Sequence, residues 1–243
     1  MSERKVLRVS GPDAEQFLQG LVTNDVMRVK DGPVYAAMLT PQGKYRADFF
    51  LVADGDDILI DVAQPLSTDL LRALTMYKLR AKVTVAETDL TVSRGPGAAP
   101  DGAFDDPRDP RMGWRAYDGR PSVETDWDAL RVDALIPESE IELTPDTFIL
   151  EAGFERLSGV DFKKGCYVGQ EVTARMKHKT ELRKGLATVA VDGTAPIGTP
   201  ILSGDRPAGV LYTQSGGRGI AYLRFDRATG ALTAADARLR YTP

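Results

Sequence analysis

The sequence predicts an α+β chain that ends in an antiparallel β-barrel, and three observations carry that prediction. Strand-length and helix-length apolar patterns follow one another up to about residue 90. One more helical stripe follows a Pro- and Gly-rich stretch in the middle of the chain. Residues 182–243 then hold nine of the 23 glycines and show only short β runs. The expected units are 1–90 and 91–181, both α+β, and 182–243, the barrel.

In order, Val6 to Ser10 reads as a strand. Ala14, Phe17, Leu18 and Leu21 fall on one helix face after Pro12. Tyr35 to Leu39 and Tyr45 to Val52 flank the turn-rich Thr40-Pro41-Gln42-Gly43-Lys44 and predict a hairpin. Ile58 to Val62 is a further strand, and Leu66, Leu70, Leu71, Leu74 and Tyr77 stripe a second helix. Lys82 to Ala86 closes the first unit as a strand, with its helices expected on one sheet face.

Gly95 to Gly113, with Pro96, Pro100, Pro107 and Pro110, reads as a long loop or link. Trp114 to Tyr117 reads as a strand. A helix opening at Pro121 or Ser122 carries the stripe Trp127, Leu130, Ala134 and Leu135, and Pro137 stops it. In the tail the β runs are Leu186 to Val191, Ala208 to Gln214, Gly219 to Phe225 and Ala237 to Tyr241.

The chain has 243 residues, 42% hydrophobic and 27% charged, enough for a sizeable core. A net charge of −4 argues against a general nucleic-acid binder. No run approaches the ~20 apolar residues of a membrane span. One cysteine forms neither an internal disulfide nor a closed zinc site, so no permanently bound metal is expected. With no signal- or transit-peptide pattern, the expected compartment is a bacterial-type cytoplasm.

That cysteine lies in Phe162-Lys163-Lys164-Gly165-Cys166-Tyr167-Val168-Gly169-Gln170-Glu171. A lone cysteine is commonly a small buried hydrophobe. Its setting points elsewhere. Seven Lys/Arg stand against three acids from Asp161 to Lys184, inside a chain that is acidic overall. Backbone N–H groups of a following helix, with lysines nearby, favour a thiolate. His178, the only histidine, has no companion ligand and takes no catalytic role.

The string Lys164, Gly165, Cys166, Tyr167, Gly169, Gln170 and Glu171, with Ala174 and Arg175 after it, resembles the signature of the YgfZ family. These are folate-binding proteins that support iron–sulfur protein maturation. Thr23-Asn24-Asp25-Val26 and the Gly11 to Gly20 stretch resemble the family's opening, and Trp127 to Glu138 its middle segment. His178-Lys179-Thr180 departs from it, where relatives often have a glycine third. Pro41 to Asp48 resembles the glycine-cleavage T-protein segment with two adjacent aspartates, of which only Asp48 is present.

The resemblance implies a T-protein-like arrangement: ferredoxin-like α+β units around a central cavity, with a C-terminal antiparallel β-barrel. It implies tetrahydrofolate or another reduced folate as ligand, with Trp127, Lys163, Lys164, Arg175 and Asp48 as folate contacts. Cys166 is then the functional thiol, and the partners are iron–sulfur assembly proteins or client enzymes. Trp127 can equally be core, and Asp48 an outward polar position on a half-buried strand. Two other functions stay open: a folate-dependent aminomethyl transferase, and a non-catalytic scaffold with an inert cysteine.

Overall fold

The structure is a computed structural model and describes residues 2–178 and 182–242. The first unit runs β1 (Arg4–Ser10), α1 (Ala14–Gln19), a 3-10 turn (Val26–Lys30), β2 (Val34–Leu39), β3 (Tyr45–Asp54), β4 (Asp57–Ala63), α2 (Gln64–Tyr77) and β5 (Thr84–Glu87). Its strands form one antiparallel sheet in the order β2-β3-β4-β1-β5.

Strand alternation sends successive side chains to opposite faces. Every residue of β2 is nevertheless buried, so both faces of this sheet are covered. Val34, Ala36 and Met38 enter a first core with α1 and α2. Tyr35, Ala37 and Leu39 enter a second core with Ala134, Ile136, Leu143, Phe154 and Tyr167. The helices lie on one face as expected. The other face is covered by the segment that leads to the cysteine, which the apolar pattern of β2 alone does not specify.

The middle unit holds β6 (Ser93–Gly95), β7 (Phe104–Asp105), a 3-10 turn (Pro110–Met112), β8 (Trp114–Ala116) and α3 (Trp127–Ala134). Its sheet has only three strands, in the order β6-β8-β7. Two expectations need correction here. The helix begins at Trp127, not at Pro121 or Ser122, because Asp126 caps it and accepts a 2.9 Å bond from the Ala129 N–H. It ends with Leu135 in the left-handed conformation, φ 53°, two residues before Pro137.

The supposed loop Gly95–Gly113 also carries buried structure. Arg108 grips Asp106 through Nε (3.0 Å) and Nη2 (2.8 Å). Arg115 bridges Asp106 at 3.0 Å and Asp61, which also takes Arg4 at 2.6 Å and the Tyr117 hydroxyl at 3.0 Å. Burial alone would raise the Asp61 carboxyl, but the guanidiniums of Arg4 and then Arg115 hold it below its ordinary range. The Arg115 and Arg108 guanidiniums lie 3.3 and 4.8 Å from the Phe50 ring centre. Proline and glycine content hid a buried ion network that ties this segment to the sheet.

After α4 (Gln170–His178), the tail forms β9 (Lys184–Asp192), β10 (Thr199–Ser203), β11 (Arg206–Ser215), β12 (Arg218–Arg224), β13 (Leu232–Ala234) and β14 (Ala237–Arg240). They close as β10-β11-β12-β9-β14-β13. β10, interrupted by Pro200, and the three-residue β13 carried too little pattern to be read, yet they complete the ring. Arg131 on α3 joins the barrel to the rest of the chain. Its guanidinium bonds buried Glu142 at 3.0 Å and the Thr213 hydroxyl of β11 at 2.7 Å.

Candidate functional site

The cysteine loop is held at Asp161, Lys164, Tyr167 and Gly169, and not at the cysteine. Asp161 accepts from the N–H groups of Lys163 (2.6 Å) and Lys164 (3.2 Å), which sets the turn. Lys164 is buried. Its ammonium donates to the carbonyl of Gln19 (2.8 Å), in the last turn of α1 where helix carbonyls lack partners, and to that of Val22 (2.6 Å) just beyond the helix. Burial lowers its pKa to about 8. The same ammonium lies 5.1 Å from the centre of the buried Tyr167 ring.

Gly169 fixes the far end. Its φ is +83°, and a Cβ there would stand 2.6 Å from the Thr40 carbonyl oxygen and 3.2 Å from the Gly43 Cα. The motif thus docks on the β2–β3 hairpin turn, glycine against glycine. Gln170 opens α4, its N–H bonded to the Tyr167 carbonyl at 3.2 Å. Gly165 has open space around it, and Cys166 is exposed. The cysteine is therefore not the small buried hydrophobe that a lone cysteine commonly is.

Two anchors escaped sequence reasoning. The buried Thr23 hydroxyl donates to the Gly159 carbonyl (2.7 Å) and accepts from the Ala37 N–H (2.8 Å). The buried Asn24 amide donates to the carbonyls of Tyr35 (2.8 Å) and Ser158 (2.7 Å). Adjacent Thr and Asn directly after an apolar helix are the available signal, since buried polar groups need partners.

The remaining expected residues scatter. Lys163 is exposed. Arg175 is exposed and paired within its own helix to Glu171 at 2.9 Å. Trp127 is half-buried against the second core, 5.5 Å from the Arg94 guanidinium. Asp48 points inward, not outward. Its carboxylate accepts the hydroxyls of Tyr35 (2.9 Å), Tyr45 (2.6 Å) and Ser139 (2.7 Å). Burial and the nearby Asp48 charge raise both tyrosines well above their ordinary pKa. His178 ends α4 and is exposed. The departing Lys179 and Thr180 lie outside the described residues. Among the described residues no group of three or more His, Cys, Asp or Glu is placed to hold a metal, and no helix is long and apolar enough to cross a membrane.

Known proteins resemble this chain at three levels. Residues 183–243 match the C-terminal β-barrel domain of CAF17. Over the whole fold, the glycine cleavage system aminomethyltransferase T of Bartonella henselae superposes with a TM-score of 0.77 at 14% identity, covering 98% of this chain and 82% of that one. At that identity the likeness shows the fold: the T-protein-like arrangement with a closed six-strand barrel.

Iron–sulfur cluster assembly factor IBA57 of Mus musculus is 30% identical over 94% of this chain and 78% of its own length. Its Homo sapiens counterpart is 29% identical with the same coverage. A Pyricularia oryzae homologue is 30% identical over 76% of this chain, which spans only about half, 54%, of that relative. All three relatives carry the description mitochondrial, which overturns the expected cytoplasmic placement. They also shift the family from YgfZ specifically to its IBA57/CAF17 branch. The chain belongs to the IBA57 family of proteins.

Proposed function

We propose that this chain serves iron–sulfur cluster assembly and that Cys166 is the thiol it works with. The observation that carries the reading is an exposed thiol on a loop otherwise tied down by Asp161, Lys164, Tyr167 and Gly169. Such a loop holds one reactive atom out in a fixed place, which is what transient transfer requires. The names of the relatives supply the process.

The chain has one cysteine, whereas cluster iron is held by sets of thiolates. Cys166 can therefore contribute one ligand to a cluster that another protein holds with the rest. The cluster is cargo, and the partners are assembly proteins or client enzymes. Lys163, exposed three residues before the thiol, adds positive charge beside an anionic cargo.

Cells lacking the protein test this. Wild type should restore iron–sulfur enzyme activity, while Cys166→Ala and Cys166→Ser, expressed and folded equally, should not. Full rescue by Cys166→Ala returns the chain to a scaffold role.

Reduced folate is a separate proposal, resting on the YgfZ resemblance. Trp127 and Lys163 can meet such a ligand. Asp48, Lys164 and Arg175 are already engaged, so the five residues do not fit folate as a set. The enclosed Asp48 also weighs against aminomethyl transfer, which needs a carboxylate open to the folate ring. A native-state ligand at a hundredfold excess over Kd adds about 2.7 kcal/mol, so melts with tetrahydrofolate decide the matter.

A further inference from the structure

The outer wall of the barrel carries an uncharacteristic row. Val210 pairs with Tyr222, and Tyr222 with Leu186, across β11, β12 and β9. Their sequence neighbours Leu211, Ala221 and Ala187 fill the barrel interior, so this row faces outward. It does not face open solvent. Together with Tyr212 and the 142–152 segment it lines a half-open cavity of about 270 Å³. That lies just below the range of roughly 300–1,000 Å³ of drug-sized sites, which selects a small ligand.

Of the polar groups lining this cavity, Glu142 is taken by Arg131 and Thr213, and Thr144 and Thr147 bond each other, which leaves acidic and phenolic groups to meet a ligand. Tyr222 donates to Glu151 Oε2 at 2.7 Å, and Oε1 has no hydrogen bond among the described residues. The Asp146 carboxylate and the Tyr212 hydroxyl have no hydrogen bond among the described residues, while the Asp146 backbone carbonyl takes Lys44. Among the described residues no lysine or arginine lines the cavity. Two phenol rings, two available carboxylate edges and an aliphatic wall together suit a flat cation: the carboxylate takes forked N–H donors, and the rings take the positive face.

The geometry points to a small-molecule site at the junction of barrel and body, taking an amidinium or guanidinium group on a short flat or apolar frame. It is independent of the thiol and of the cluster-assembly reading.

Benzamidine is the probe, titrated into the full chain by calorimetry, with neutral benzamide as its isostere. Binding of benzamidine at least tenfold tighter than benzamide is expected. Glu151→Gln, which keeps an acceptor for Tyr222, should weaken it at least tenfold, and so should Ala152→Leu, which fills the space. Both variants are compared at a melting temperature matched to wild type. If Ala152→Leu does not fold, Tyr212→Ala replaces it as the variant that removes an aromatic wall. Absence of binding up to about 10 mM overturns the inference. So does benzamide binding as well as benzamidine, or binding that Glu151→Gln leaves unchanged.

Discussion

Gly165→Ala and Gly169→Ala, four residues apart in one loop, should have opposite consequences. At Gly169 an alanine must adopt φ +83°, a left-handed conformation that costs about 1–2 kcal/mol. Its Cβ would also meet the Thr40 carbonyl at 2.6 Å and Leu39 Cβ at 2.9 Å, and such overpacking costs about 1–3 kcal/mol. The neighbours are backbone and a core side chain, so little can yield. The expected loss is about 2–5 kcal/mol, or at least roughly 4 °C in melting temperature for a chain of this size.

At Gly165 no heavy atom lies within 4 Å of the added methyl and φ is not left-handed, so the change should stay within about 0.5 kcal/mol. Urea melts of both variants, with amide exchange over residues 159–169, make the comparison. Equal costs at the two glycines, or a Gly169→Ala melt and exchange pattern identical to wild type, would refute the docking of the motif on the hairpin turn.

Arg131→Met leaves Glu142 charged and buried and should cost about 3–5 kcal/mol in a urea melt. Adding Glu142→Leu should then cost less than a second such loss, and full additivity would show that the two do not act as a pair. Thr23→Val removes the bonds to Gly159 and Ala37. It should cost about 1–3 kcal/mol and speed amide exchange over 159–168, whereas unchanged exchange there would separate Thr23 from the cysteine loop. Lys164 has a folded-state pKa of about 8, below its ordinary 10.5. Between those values the unfolded chain keeps a proton that the folded chain has released, so wild-type stability should rise with pH relative to Lys164→Met across that window. A stability difference that is flat or falls with pH contradicts the lowered pKa.

The elements with strong periodicity were legible: the hairpin, α1, α2 and four of the barrel strands all show in their apolar spacing. What the sequence concealed was long-range and polar. Asp48 reads locally as one polar residue on an alternating strand, but Ser139, 91 residues on, supplies part of its enclosure. Arg108 and Asp106 sit in a proline-rich stretch and look solvated, yet Asp61, 54 residues before Arg115, completes their buried network. Lys164 shows the same gap at the site itself. The motif marks it as a cation beside a thiol, and only the fold reveals that the carbonyls of Gln19 and Val22 already occupy that cation. Gly169 shows in the sequence as a member of the motif, but the reason for it, contact with Gly43, is tertiary.

The most direct test of the account is made on Cys166 in the purified, folded protein. Native protein is alkylated with iodoacetamide, checked by intact mass for one adduct and by melting temperature for an unchanged fold. It is then added to an extract depleted of the protein. Rapid single labelling, an unchanged melt and failure to restore iron–sulfur enzyme activity are expected, while mock-treated protein restores it. A thiol that does not label in the folded state, or labelled protein that restores activity in full, would contradict it.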